Sequence, residues 1–270
     1  MKQRIEKRGG KRLTLDVAIC TYGREGIHRV ASMLLPPQEE VSYVVSWQLH
    51  EGCLLPDSIA TRSDVTVARL DVAGLSNNRN NAIAHCSSDL VLIADDDLKY
   101  YADSFSNVIK AFEDDPQMDL ATFRVSFPNP KHYPGDGVEL RNPLPKGYFV
   151  TSMEIAFRRL SAGDLRFNPM LGIGAPELLC GEEELFVNEA IKKGLRCRHI
   201  ARNICDHASL TSGDKISKGI VMGQGYVIVH LYPVSGFPRL ILKAYRMSKT
   251  KAIGFPTALY YLFKGALTRT

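Results

Sequence analysis

Six cysteines stand in this 270-residue sequence, yet no two of them form a C-x-x-C pair and none shares a zinc-module spacing with the seven histidines. That absence excludes a structural zinc site of the common kinds, and Cys20, Cys53, Cys86, Cys180, Cys197 and Cys205 read as free thiols, which suits a reducing cytoplasm. No apolar stretch approaches the roughly 18 residues of a membrane span, and none follows the basic opening MKQRIEKRGGKR. Neither a spanning helix nor a secretory signal is therefore expected. There is one Trp, and no internal repeat or low-complexity tract. The bulk, 45% hydrophobic and 23% charged, is that of an ordinary globular protein.

What is present begins with charge. The net charge is +5, with much of the excess in the opening segment and between Arg239 and Arg269. Basic ends of this kind are either a solubilising surface or a fit to an anionic partner, such as a membrane surface or nucleic acid. The length suits one large α/β domain with a tail, or two small domains.

Short apolar runs alternate with helical patterns. LTLDVAIC reads as a strand ended by the turn-like TYGREG, and HRVASMLL as a helix. VSYVVSWQ and VTVARL read as further strands, and DVAGLSNNRNNAIAHC holds a helix that Ser76 or Asn77 can cap. LVLIA is a continuous apolar run, the signature of a strand buried on both faces. A helix over about 102–113 and a strand, LATFRV, continue the alternation, which points to βαβ units and a mostly parallel sheet. Five prolines between residues 126 and 147 mark a long loop, and FVTSMEIAFRR reads as a strand after it. GEEELFVNEAIKKG is a clear helix, acidic first and basic last, followed by a strand, LRCRHIA. The final stretch mixes Lys and Arg with Leu, Ile, Tyr and Phe at helical spacing, interrupted at Pro256.

LVLIA ends in three carboxylates, Asp95, Asp96 and Asp97. In an open α/β sheet ligands bind beyond the carboxyl ends of the strands, so the location is a functional one. If strand alternation persists, Asp95 and Asp97 project to one side. Two like charges about 4 Å apart repel by roughly 4 kcal/mol at an effective dielectric of about 20, and a divalent cation with oxygen ligands offsets that. A solvated acidic turn is the other reading. A second cluster, Glu182, Glu183 and Glu184, opens a helix, where carboxylates also serve simply to complement the helix dipole.

The order of these parts, ICTYGR, then GLSNNRNNAI leading to LVLIADDD, then FNPMLGIGAPELLCGEEELF with His207 downstream, resembles the family 2 glycosyltransferases over roughly residues 12–235. The resemblance implies a GT-A fold: an α/β, Rossmann-like, mixed and mostly parallel sheet flanked by helices. It divides the chain into a catalytic domain at 1–236 and a basic amphipathic helical segment at 237–270. It implies an inverting transfer of a sugar from a nucleotide diphosphate donor to a glycan or lipid-linked hydroxyl, with Mn²⁺ or Mg²⁺.

By position in the family motifs, Thr21, Tyr22, Gly23, Arg24, Gln48, Gly74, Arg79 and Asp95 fall on the nucleotide-sugar side, with Asp96 in support. Asp97 falls on the metal, and His207 matches a histidine that joins it in some relatives. Glu183 occupies the place of the general base, with Glu182 shaping the acceptor site. Glu stands at 183 where the family has Asp, Gly23 replaces the usual Asn, and Gln48 lies where an Asp pair often holds the base. The resemblance further implies a cytoplasmic enzyme, peripheral on the inner leaflet through its terminal segment; packing of that segment on the catalytic domain or on a second copy is the other reading. Nucleic acid is not an expected partner. Two rivals remain at this point, a nucleotidyltransferase acting on a sugar phosphate and a non-catalytic nucleotide-sugar-binding scaffold. The first would be favoured by a lysine-bearing phosphate loop, which TYGREG lacks.

Overall fold

A computed structural model describes residues 12–129, 131–207, 216–250 and 253–269. The basic opening up to residue 11 and the stretch after His207 up to residue 215 lie outside the described residues. Strand β1 (Leu15–Tyr22) leads into α1 (Gly23–Ser32), β2 (Val41–Gln48), a single turn α2 (Asp57–Ala60) and β3 (Val65–Leu70). Then come α3 (Leu75–His85), β4 (Leu90–Asp95), β5 (Leu98–Tyr100), α4 (Ser104–Asp114), β6 (Leu120–Ser126) and the two-residue β7 (Val138–Glu139). A 3₁₀ turn at Ser152–Glu154 precedes β8 (Ile155–Arg158) and α5 (Arg159–Ala162). The chain continues through α6 (Glu182–Lys192), β9 (Cys197–His207), α7 (Lys218–Leu231), α8 (Gly236–Lys249) and α9 (Phe255–Leu267).

The described strands form one nine-stranded sheet in the order β3-β2-β1-β4-β8-β6-β9-β5, with β7 on β9. β1 lies parallel to both β2 and β4, β2 to β3, and β6 to β9, while β8 and β5 run antiparallel to their neighbours. Along β4 the core assignment alternates: Leu90, Leu92 and Ala94 face a cluster with Phe105, Phe112 and Trp47, and Val91 and Ile93 face one with Phe157 and Phe186. Helices therefore cover both faces, and the uninterrupted apolar run is the consequence. The chain leaves β1 in opposite directions for β2 and β4, so a crevice opens between the carboxyl ends of β1 and β4, where Cys20 pairs in register with Asp95.

Several local expectations change in the folded chain. TYGREG is not a turn before a helix, because α1 starts at Gly23, whose φ of 65° makes the strand-to-helix corner. The Trp47 indole donates to the Gly23 carbonyl at 2.9 Å and holds that corner down. Neither Ser76 nor Asn77 caps α3. Gly74, at φ 107°, is the cap residue, while Ser76 donates to the Leu171 carbonyl and Asn77 to the Ala73 carbonyl. Of FVTSMEIAFRR only Ile155–Arg158 is strand.

Helices α7, α8 and α9 pack as one unit around Val221, Leu240, Ala244, Ala258 and Leu262. Glycines make the α7–α9 crossing close: a Cβ on Gly225 would lie 2.0 Å from the Leu262 carbonyl oxygen, and one on Gly265 would lie 1.9 Å from that of Met222. No described helix is long and apolar enough to cross a membrane. Gly265→Val is expected to push α9 off α7 and lower stability by about 3 kcal/mol or more, read as an earlier urea midpoint; an unchanged midpoint would contradict this packing.

Candidate active site

Arg79 stands in the second turn of α3, fully buried at 2% side-chain exposure. A guanidinium stays charged at any pH a protein tolerates, so its burial demands counter-charges. It finds three. Nη1 lies 2.9 Å from Glu182 Oε1 and 3.3 Å from Glu183 Oε1, and Nη2 lies 3.6 Å from Asp95 Oδ1. Nη2 also donates to the Ser152 hydroxyl at 2.7 Å, and the guanidinium stacks over Phe167 at 5.3 Å. Asp95 closes β4 and the two glutamates open α6, so one side chain joins the two acidic clusters that are 85 or more residues apart in sequence. The charge of Arg79 is met by protein carboxylates from both clusters.

The aspartate triplet divides. Asp95 lies half-buried against Arg79, and its carboxyl is pushed above the usual range first by desolvation, against the pull of Arg79, with Asp97 adding to the rise. Asp96 is held as a tie to α1. It accepts from Thr21 Oγ1 at 2.6 Å and from Arg29 Nε and Nη2 at 2.9 and 3.0 Å. Both oxygens are thus met by protein donors. A Cβ on Gly26 would fall 2.3 Å from Thr21 Oγ1, so the glycine lets α1 close on this tie. Asp97 meets His207, its Oδ1 lying 3.4 Å from Nε2, because β5 pairs Leu98 with His207 on β9. Asp95 therefore faces Arg79, Asp96 faces Arg29, and Asp97 lies beside His207.

Gln48 lies at the end of β2 beside the start of α3. Its amide is buried and donates to the carbonyls of Val72 and Gly74, fixing the corner where α3 starts. The glycine-rich loop 172–174 lies on the same corner: Leu75 N–H donates to Ile173 O at 2.8 Å, and a Cβ on Gly174 would meet Gly74 Cα at 3.0 Å. Gly172, at φ 94°, leaves room for Glu182, whose Oε1 lies 2.8 Å from where a Cβ would stand. Tyr22 is exposed at the end of β1, and Arg24 donates to the Gly52 carbonyl at 3.3 Å.

At the start of α6, burial and Glu182 push the Glu183 carboxyl well above its ordinary range, with Arg79 opposing. Burial likewise pushes Glu184 up to about 7. A carboxyl poised near neutrality is suited to taking a proton. Next to these stands a pair that sequence patterning gave no signal for. Lys131 and Glu154 form a buried ion pair in which Glu154 also accepts from Thr151 Oγ1 at 2.6 Å and Tyr148 OH at 2.8 Å. The Lys131 ammonium sits 4.3 Å from the half-exposed Phe149 ring and 5.1 and 5.2 Å from Tyr133 and Tyr148. Its charge also acts on Glu184 and Glu183. The turn 152–154 thus carries Ser152 to Arg79 and Glu154 to Lys131.

Several buried polar atoms around Arg79 have no hydrogen-bond partner among the described residues: Asp95 Oδ1, Glu182 Oε2, Arg79 Nε and Asn78 Oδ1. Such atoms are costly to leave unpaired.

A mixed sheet with acidic side chains at the end of its fourth strand and at the start of a helix beside it is the GT-A architecture of glycosyltransferases. Residues 56–161, less than half of the chain, match the family model described as Glycosyl transferase family 2. Among solved structures the chain is similar to S. aureus TarS. Against the TarS 1–349 structure in complex with UDP, the TM-score is 0.62 at 14% identity, covering 93% of this chain and 91% of that one. Against the structure in complex with UDP-GlcNAc it is 0.57 at 17% identity, covering 80% of this chain and 66% of that one. A further TarS structure gives a TM-score of 0.56 at 16% identity, and the chain covers 44% of it. No curated protein matches the chain.

Two outcomes test the electrostatics. Arg79→Met leaves buried carboxylates uncompensated and is expected to cost about 3–5 kcal/mol in urea unfolding, and Arg79→Lys, lacking the planar fork, is expected to recover only part of it. Glu184 binds its proton more tightly folded than unfolded, so it lowers stability as pH rises from the unfolded value of 4.5 toward about 7. Glu184→Gln is therefore expected to gain on wild type in melting temperature across that window and to run parallel above it; parallel curves throughout would refute the shift.

Proposed function

We propose that this protein is an inverting, metal-dependent glycosyltransferase that moves a sugar from a nucleotide diphosphate donor to a hydroxyl of a glycan or lipid-linked acceptor. The observation that carries the reading is the Arg79 junction, which brings Asp95 and Glu183 to one side chain. Donor side and base side are then parts of a single site. Uridine diphosphate sugars are the donors to test first, because the similar TarS structures hold UDP and UDP-GlcNAc.

In this reading Glu183 accepts the proton of the acceptor hydroxyl as that oxygen forms a bond to the anomeric carbon from the face opposite the diphosphate. The bond from the anomeric carbon to the diphosphate oxygen breaks, its electron pair leaves with the nucleoside diphosphate, and the configuration inverts. Burial prepares Glu183 for the role by making it a stronger base than a solvated carboxylate. Asp95 Oδ1, Glu182 Oε2 and Asn78 Oδ1, which have no hydrogen-bond partner among the described residues, accept from sugar hydroxyls in this reading. Tyr22 and the α1 corner lie where a nucleotide enters.

The Asp97–His207 pair fits a divalent cation in its chemistry, a carboxylate and an imidazole 3.4 Å apart at the crevice edge. Among the described residues no group of three His, Cys, Asp or Glu gathers for a metal, so phosphate oxygens and water complete the shell in this reading. A nitrogen ligand favours Mn²⁺ over Mg²⁺. When bound, the cation supplies positive charge to the departing diphosphate. The basic segment 237–270 goes with a cytoplasmic protein in peripheral contact with a membrane that holds the acceptor.

With UDP-GlcNAc as probe, wild type is expected to bind and slowly hydrolyse the donor with Mn²⁺, and Asp97→Ala to lose the metal dependence. Glu183→Gln is expected to keep donor affinity while turnover drops about 10²- to 10⁴-fold. Full turnover by Glu183→Gln removes the base assignment, and no response to any nucleotide sugar with metal removes the activity.

A further inference from the structure

All acidic residues of the chain lie before residue 215, and the segment from there to the end holds nine Lys and Arg. The rest of the chain is therefore net acidic although the whole is +5. Within this segment α8 has two faces. Gly236, Leu240 and Ala244, four residues apart, turn inward onto α7 and α9. The row beside them turns outward: Phe237, Ile241 and Tyr245, again four apart, with Leu242, are 44%, 51%, 51% and 47% exposed. Arg239, Arg246 and Lys249 are exposed along the margins of that row, and Val234 is fully exposed just before it.

We propose that the outward face of α8 is a docking surface for an anionic lipid bilayer, with Phe237, Ile241, Leu242 and Tyr245 in the acyl boundary and Arg239, Arg246 and Lys249 at the headgroups. An exposed apolar row flanked by cations is the form of an interfacial helix. A second copy is disfavoured by charge: a two-fold contact sets the same patch against itself, and the segment has no carboxylate to set opposite its cations.

The placement has a consequence for catalysis, which rests on the activity proposed above. α7 seats on the start of α6 through glycine, since a Cβ on Gly223 would lie 2.8 Å from Cys180 Sγ and one on Gly181 would lie 2.1 Å from Val227 Cγ2. Lys243 of α8 is half-buried on the far side from the apolar row, where its charge acts on Cys180 and Glu184. The lipid-facing helix is thus braced against the helix that carries Glu183. Docking through α8 would thereby hold the α6 end of the site near the membrane surface.

The test is vesicle flotation. Wild type is expected to float with mixed phosphatidylcholine–phosphatidylglycerol vesicles and to bind phosphatidylcholine alone about a hundredfold more weakly, with salt eroding the difference. Ile241→Ser with Tyr245→Ser, exposed positions that leave the fold in place, is expected to lose at least about tenfold. Arg239→Gln, Arg246→Gln and Lys249→Gln together are expected to reduce binding to the level of neutral vesicles. Absence of flotation overturns the proposal, as does a wild-type dimer in light scattering that the Ile241/Tyr245 variant converts to monomer. Glu183→Gln is expected to float like wild type while its turnover drops, and flotation of a wild type that responds to no nucleotide sugar with metal would remove the activity and leave the surface standing.

Discussion

A guanidinium buried among carboxylates is the interaction on which the rest of this structure depends. Arg79 arrives from α3, Asp95 from the end of β4, Ser152 from the turn before β8, and Glu182 and Glu183 from α6. Each of these groups is expensive to bury alone, and together they are tolerable only in this arrangement. The charge balance therefore specifies where the elements stand relative to one another, which apolar packing alone leaves loose. Phe167 lies against the guanidinium, and Gly172 leaves room for the Glu182 carboxylate that pairs with it.

The surrounding electrostatics extend the same logic. Carboxylates outnumber cations near the site, and burial shifts Asp95, Glu183 and Glu184 toward the protonated form. The Lys131–Glu154 pair supplies a second buried cation beside α6 and is itself held by Thr151 and Tyr148. His199, buried between the Tyr133 and Tyr148 rings, is pushed down to about 4 by burial and stays neutral, which keeps another charge out of this wall. Proton affinity at the start of α6 is thus a property of the whole enclosure, shared among elements from α3 to α8.

Much of the fold was legible because it is written in local patterns. The run LVLIA announced a strand covered on both faces, and the β4 side chains divide between two cores as that requires. The acidic opening and basic close of GEEELFVNEAIKKG marked α6 to within a residue or two. What could not be read was direction. Strand alternation placed Asp96 away from Asp95 and Asp97, but nothing local said that Arg29 and Thr21 would claim it. Gln48 and Ser76 found partners in loops close in space but remote in sequence, and Lys131 met Glu154 across a proline-rich loop with no periodicity to follow.

The sequence by itself determined the α/β alternation, the place of the two acidic clusters at element ends, and the basic, carboxylate-free character of the final segment. These follow from period, propensity and charge, which act over a few residues. Only the tertiary structure decided which charge neutralises which. A buried ion pair is a contact between segments remote in the chain, and its geometry exists only after β4, α3 and α6 have packed around Arg79.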